Sequence, residues 1–381
     1  MGIFTMEVSL MPARFRPSGH NSFWGDCLYD MAVPKTHLLR PLKGLIDWGK
    51  LARGLADCYK GGAEYGPLPY NPTTLLKMLL LSYLYKMSER QIEEYVSDSL
   101  AARYFLDLAA HEAVPDHSTL SVFKDRILKR KGPEMFERMF QEVVCVAIEK
   151  GIVFGKIQIV DATHTIADVN VKKDKERKDG GDKPRDGDAA WGVKGKKKVR
   201  TVDGKMVKVN NIFYGYKTHM SLNAESKIIT SVAVTPGNKT DGQQFPELVQ
   251  KDEQLRVEAK IYAGDKGYDD GDNHYLLKEK GKSSALCLNE YRTRLYPEGL
   301  WADIKASEDY QMGLRERYKI EQKNGEGKRW HGLDRCRYVG LAKYAVQSLM
   351  TAMTMNLKRM VLLLCGVSFR WSSRNLAKSL P

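Results

Sequence analysis

The feature that most constrains this chain is a change of texture at Gly151. From Lys156 the sequence reads KIQIVD, a β-branched run that stops at the carboxylate of Asp161. The stretch IFYGYKTHMSLNAESKIITSVAVTPGN carries two alternating runs around a turn at Asn223–Ser226, the pattern of a hairpin. Thr240 and Gln243 have the spacing of a capping box, which predicts a helix through Val249. AKIYAGDKGYDD supplies a further short strand with Asp265 directly after it. A helix over 272–281, a strand at SSALC and a long helix complete the order. Strand, strand, strand, helix, strand, helix, strand, helix predicts an α/β layer architecture around a mixed sheet.

The first 150 residues read differently. Leu75 to Tyr85 is a dense apolar run behind a proline-rich opening. Ser88 with Gln91 makes a capping box, and Ile92, Tyr95 and Val96 form the apolar face of the helix it starts. Pro115-Asp116-His117-Ser118-Thr119 announces another helix. The expected organisation is a helical DNA-binding region over 1–150, an α/β domain over 151–365 and a tail over 366–381. A recognition helix within Ser88–Leu108 is one reading of this region, and a plain packed bundle is the other.

Charge narrows the choice of partner. The 381 residues carry a net charge of +14, so a polyanion is the first candidate. Half of that excess lies in residues 171–210, where 14 Lys/Arg meet 7 Asp/Glu. With six glycines and few large apolar residues, this insertion is expected to be flexible, a phosphate-binding arm or a solvated loop. An anionic membrane is the weaker partner. The start has neither a signal-peptide run nor a myristoylation pattern, and Lys358 and Arg359 interrupt the most apolar late stretch. Six scattered cysteines without a C-x-x-C pair suit a reducing cytoplasm.

Three acids could carry chemistry. Asp161 and Asp265 follow strands, and Glu321 lies on a late helix, at spacings of 104 and 56 residues. Such carboxylates can hold two Mg²⁺ ions for phosphoryl transfer, with Mn²⁺ able to substitute. Each has a bland alternative as a turn cap or a surface ion pair. Arg317, Glu321 and Lys328 fall within roughly 60° of one another on a helix, which places two phosphate-binding cations beside the acid. Lys217 and His219 share one strand face and are candidates to approach the same phosphate.

The sequence resembles the insertion-sequence transposases of the DDE class, in the bacterial group typified by insertion sequences four and five. IVDATHT, YAGDKGYDD and RYKIEQKNGEGK carry the resemblance. Arg317, Glu321 and Lys328 match the spacing of the family's tyrosine–arginine–glutamate–lysine signature, while Leu314 stands at the tyrosine position. LLKMLLLSYLYKMSERQIEEYVSD, PDHSTLSVFKDRI and TPGNKTDGQQFPELV extend it over nearly the whole chain. The resemblance implies an RNase H-like fold with a five-stranded sheet, and Asp161, Asp265 and Glu321 as metal ligands. It also implies cleavage at the element's terminal inverted repeats, strand transfer into target DNA, and a homodimer on double-stranded DNA.

Other residues rank lower. His164 is a poor ligand for a hard cation. Asp168, Asp269 and Asp270 lie further from the strand ends. Trp330 and His331 suit either packing or stacking on a base, and the Met-rich run MTAMTMNLKRM suits a core-facing helix. Rival readings are a nuclease of the same fold, a transposase-derived binding protein without catalysis, and a protein whose acids are only caps and ion pairs.

Overall fold

A computed structural model describes residues 15–16, 23–59, 68–179, 181, 183–201, 203–289 and 298–368. The chain forms two compact units: residues 1–82 with 87–135, and residues 83–86 with 136–381. The division falls at residues 135 and 136, within the first turn of the helix Glu134–Glu149, whereas the sequence reading placed a boundary at 150. Most of the expected 366–381 tail lies outside the described residues.

The first unit is helical. It comprises α1 (Phe23–Ala32), α2 (Leu39–Leu45), α3 (Trp48–Ala56), most of α4 (Pro72–Leu84), α5 (Glu89–Asp98), α6 (Leu100–Leu106) and α7 (His117–Lys131). Side chains start several of these helices by satisfying free backbone N–H groups. Ser88 and Gln91 form the expected reciprocal capping box, and Asp116 accepts from the Thr119 amide at 2.6 Å. Leu75, Leu76, Leu79 and Leu80 on α4 are buried, as are Phe105 on α6 and Phe123 on α7. Lys77 is buried among them and pairs with Asp107, which also binds Lys43 at 2.6 Å. No candidate recognition helix is distinguished by this packing.

The second unit opens with α8 (Glu134–Glu149) and β1 (Ile157–Ile166). Then come α9 (Val171–Asp179), β2 (Ala190–Arg200), β3 (Met206–Asn223), β4 (Ile229–Pro236), a 3-10 turn (Gly242–Gln244) and α10 (Phe245–Gln254). Next are β5 (Ile261–Gly264), α11 (Gly271–Glu279), β6 (Ser283–Leu286), α12 (Glu298–Ala306), α13 (Glu308–Glu316), α14 (Tyr318–His331) and α15 (Leu341–Cys365). The core strands lie in the order β4-β3-β1-β5-β6. β3 runs antiparallel to both neighbours, and β1, β5 and β6 are parallel. This is the RNase H-like arrangement.

Two expectations change here. The basic insertion is not structureless: it folds into α9 and β2, and β2 pairs along the first half of β3. Alternation of Ile212, Tyr214 and Tyr216 continues the hairpin backwards into a segment whose composition hides it. Asp161 lies within β1 rather than at its end, opposite Met220 of β3.

The sheet is covered on both faces. Val160, Tyr262 and Leu286 pack with Phe245, Leu248 and Leu277 from α10 and α11. On another side, the Asn356 amide of α15 donates to the Ile229 carbonyl at 2.7 Å and accepts from its N–H at 2.8 Å. Tyr344 of the same helix stacks on Tyr216, with centroids 4.7 Å apart, and donates to Thr165 at 2.8 Å. Met350, Met353, Met355 and Met360 are buried, as the Met-rich run predicts.

α13 approaches the sheet closely because position 313 is glycine. A Cβ there would stand 2.3 Å from that of Ala285 and 3.3 Å from that of Ala263. Gly313→Ala is therefore expected to destabilise the unit by about 1–3 kcal/mol. Gly325, in α14, has nothing within 4 Å of an added Cβ, so Gly325→Ala should be neutral or stabilising, by up to about 1 kcal/mol. Urea unfolding of the two variants beside the parent checks both signs.

Candidate active site

Parallel pairing of β1 with β5 builds the site. Ile157 faces Ile261, Gln158 faces Tyr262 and Ile159 faces Ala263. Carried two residues further, the same register brings Asp161 level with Asp265. Asp161 has its carboxyl pushed up to about 7, first by burial and then by the charges of Asp265 and Asp241. Asp265 is raised by burial as well, with partial relief from the Gly267 N–H that it accepts at 2.8 Å.

The α13–α14 junction supplies the opposing side chains. The stretch expected as one helix is two, with Arg317 at the break between them. Arg317 lowers the proton affinity of both aspartates and binds Glu321 Oε1 at 3.0 Å. One turn on, Asn324 Nδ2 donates to Asp161 Oδ2 at 2.8 Å. Lys328 Nζ lies 3.3 Å from His164 Nδ1. Burial and the charge of Lys194, from the basic hairpin arm, bring Lys328 down to about 8. His164 is held near 4 by burial and by Lys328, Lys194 and Lys217, so it is neutral among cations.

Asp241 is the acid that the sequence reading missed. Its side chain caps no helix, contrary to the expected capping box at Thr240. It instead accepts from Lys217 Nζ at 2.8 Å, and Lys217 also donates to the Lys239 carbonyl at 2.9 Å. His219 is fully buried, with Nε2 2.9 Å from Thr235 Oγ1 and Nδ1 4.0 Å from Asp241. As placed it cannot touch DNA, which corrects its candidacy as a contact residue. Asp241 lies five residues beyond β4, in a loop whose sequence gives no sign of its contact with Lys217.

The lower-ranked residues have structural partners. Asp269 is buried against His274 at 2.9 Å, Asp270 caps α11, and Asp168 pairs with Arg335 at 3.2 Å. His331 is buried and lies 3.0 Å from the Tyr83 carbonyl.

The donor set suits a hard divalent cation. Asp161 and Asp265 offer only oxygens, and their mutual repulsion is what a cation between them would relieve. Glu321 lies one turn before Asn324, the residue that touches Asp161, yet its own carboxylate is turned to Arg317. Among the described residues, no three His, Cys, Asp or Glu side chains are grouped closely enough to hold an ion as placed. Asp161 and Asp265 interact electrostatically, the helix that bears Glu321 touches Asp161 through Asn324, and the Glu321 carboxylate itself pairs with Arg317.

Residues 28–126 match the family described as Transposase domain (DUF772), and residues 194–357 match the Transposase DDE domain. The chain belongs to the DDE transposase family. The second match spans Asp265 and Glu321 and begins after Asp161. Two solved structures show how far the likeness extends. The piggyBac transposase synaptic complex with hairpin DNA is 10% identical, with 91% of this chain and 77% of that chain covered and a TM-score of 0.37. The Mos1 transposase paired-end complex with left transposon end is 10% identical, with 69% and 80% covered and a TM-score of 0.19. No helix among the described residues is long and apolar enough to cross a membrane.

The buried histidine gives a pH prediction. His219 is held down to about 4, by burial first, against an ordinary value near 6.5. The unfolded chain therefore binds more protons than the folded one between those values, and stability rises with pH across that window. The contribution of His219 should be complete above pH 6.5 and lost as pH falls toward 4. Denaturant unfolding of the parent and His219→Gln at several pH values in that range should show a shallower pH dependence in the variant.

Proposed function

We propose that this DDE transposase binds the terminal repeats of an insertion sequence, cuts there, and joins the freed ends to target DNA. The observation that supports the reading is that Asp161 on β1 feels the charge of Asp265, which directly follows the neighbouring parallel strand β5, while Asn324 of the helix that bears Glu321 touches Asp161. Asp161, Asp265 and Glu321 would hold Mg²⁺ or Mn²⁺. The bound cations would supply charge stabilisation for the attacking and leaving oxygens of phosphoryl transfer.

The chain's own residues do the positioning. Arg317 presents a planar fork suited to a phosphate, and Lys328 presents a point charge one face along. For Glu321 to serve as a ligand it must leave Arg317, and an incoming phosphate that engages the guanidinium frees it. Asn324 holds the Asp161 carboxylate in orientation through Oδ2. Asp241 and the Lys239 carbonyl fix the Lys217 ammonium toward the same pair of aspartates. His219 is buried and bonds Thr235 Oγ1, so its role is within the fold rather than on DNA. Lys194 brings the basic arm's charge to the rim of the site. Pairing two DNA ends calls for two copies of the chain, so a homodimer on DNA is part of the proposal.

A second reading has its own observation. Leu314 at the family's tyrosine position, and a Glu321 carboxylate engaged by Arg317, favour a copy that binds DNA without cutting it.

Cleavage and joining of a DNA bearing the element's own ends, with Mg²⁺, separates the two. Glu321→Gln, Asp265→Asn and EDTA should each abolish both reactions while end binding persists. Arg317→Ala with Lys328→Ala should weaken end binding and cleavage together, and full cleavage by that double variant would remove the phosphate-clamp role. Binding without cutting by the parent in Mg²⁺ and in Mn²⁺ would leave the second reading standing, and Leu314→Tyr would be the variant to restore activity.

A further inference from the structure

The helix that carries Glu321 has a second charged face. At about 100° per residue, Lys319, Lys323 and Glu326 lie roughly opposite the stripe of Glu321, Asn324 and Lys328. That opposite face lines a cavity of about 280 Å³, closed by Lys358 and Arg359 of α15 and by Lys227 from the β3–β4 turn. Lys358 and Arg359 stand side by side late in a helix that is buried over most of its length, a costly choice unless they face something polar.

Five cations line the cavity, and one of them, Lys319, pairs with Glu316. Glu326 is the shared partner: Lys323 donates to it at 3.0 Å, Lys358 pairs with it, and His331 lies 3.8 Å away. Burial opposes ionisation of Glu326, yet these partners outweigh it and hold the carboxyl well below its usual range. Lys323 is itself buried, with 5% of its side chain exposed. Arg359 is oriented by donating from Nε to the Ser226 carbonyl at 2.8 Å. With Lys319 paired to Glu316, Glu326 is left to offset Lys227, Lys323, Lys358 and Arg359, so the cavity keeps a positive excess at a concave, partly desolvated surface, where an anion is bound most strongly.

Lys227 reaches the cavity from the β3–β4 turn and donates to Gln322 Oε1 at 3.3 Å. Lys227 adopts φ 60°, the left-handed region that side chains other than glycine, asparagine and aspartate seldom occupy. Glycine adopts this conformation without strain, so the ammonium can be removed here without disturbing the turn.

We propose that this cavity binds a phosphate group, at a site distinct from the aspartate pair. A phosphate matches the forked Arg359 and the point charges around it in both charge and hydrogen-bonding capacity. Two sources have that chemistry: a backbone phosphate of a DNA segment that passes behind α14, and a free phosphate or nucleotide. In either case the ligand rests on the reverse of the helix that presents Glu321.

The test uses the full chain and two variants, Lys227→Gly and Arg359→Gln. Lys227→Gly removes the ammonium at a position where glycine relieves the backbone, so it separates lost binding from lost folding. Inorganic phosphate should raise the thermal midpoint of the parent by several degrees above chloride at matched ionic strength. That rise should fall by at least half in both variants. Titration with a short duplex lacking the terminal repeats then identifies the source. If DNA supplies the phosphate, the slope of log affinity against log salt falls by about 1 in each variant. An unchanged slope, with the phosphate effect lost, assigns the cavity to a free phosphate or nucleotide. No phosphate-specific rise, or a rise equal in parent and variants, overturns the proposal. Strand cleavage is not a readout, so failure of the transposase reading would leave the outcome intact.

Discussion

The parallel pairing of β1 with β5 is the constraint on which the rest of the site depends. Parallel strands have evenly spaced hydrogen bonds, so one register fixes every level along the pair. Here that register aligns Ile157 with Ile261 and leads to two acids standing level where β5 ends. A slip of one residue would turn one aspartate to the opposite face and dissolve the pair. The antiparallel β3–β4 hairpin on the other side of β1 adds Lys217 and, just beyond it, Asp241. Like charges in a half-buried place raise each other's proton affinity, so the fold carries a built-in electrostatic strain at this point. Arg317, Lys217 and Asn324 relieve part of it.

The two late helices hold that arrangement through polar contacts as much as apolar ones. α15 is buried over most of its length, and Asn356, Gln347 and Tyr344 each bind a specific backbone or hydroxyl group. Buried polar groups are costly unless satisfied, so each of these bonds disfavours alternative placements of the helix. α14 then lies against β1, where Asn324 meets Asp161. Gly313 lets α13 come close enough to the sheet to set the start of that helix.

Much of this was legible in the sequence, for identifiable reasons. Ser88–Gln91 and Asp116 were readable as caps because the interaction is local and its spacing is fixed. Asp161 and Asp265 stood out because they follow short β-branched runs, and the order of elements indicated a mixed sheet. The hairpin arm was misread because composition weighs residues singly, whereas its order comes from pairing with a strand that continues into the core. Asp241 passed unnoticed between Thr240 and Gln243, which have the spacing of a capping box, and only the tertiary fold brings Lys217 to it. The burial of His219 and the rotation of the Glu321 carboxylate to Arg317 depend on packing that no local pattern encodes.

β3 has a mechanical consequence. It is a single strand of 18 residues, about 60 Å if fully extended. Its first half bonds to the basic arm and its second half to β1 and β4. The arm is therefore a lever rather than a tether. A load on its charged tip passes along β3, past the irregularity in β2 between Val193 and Lys196, to the level of Lys217 and Met220. The position of a polyanion on the arm and the spacing of the groups around Asp161 thus form one stiff linkage.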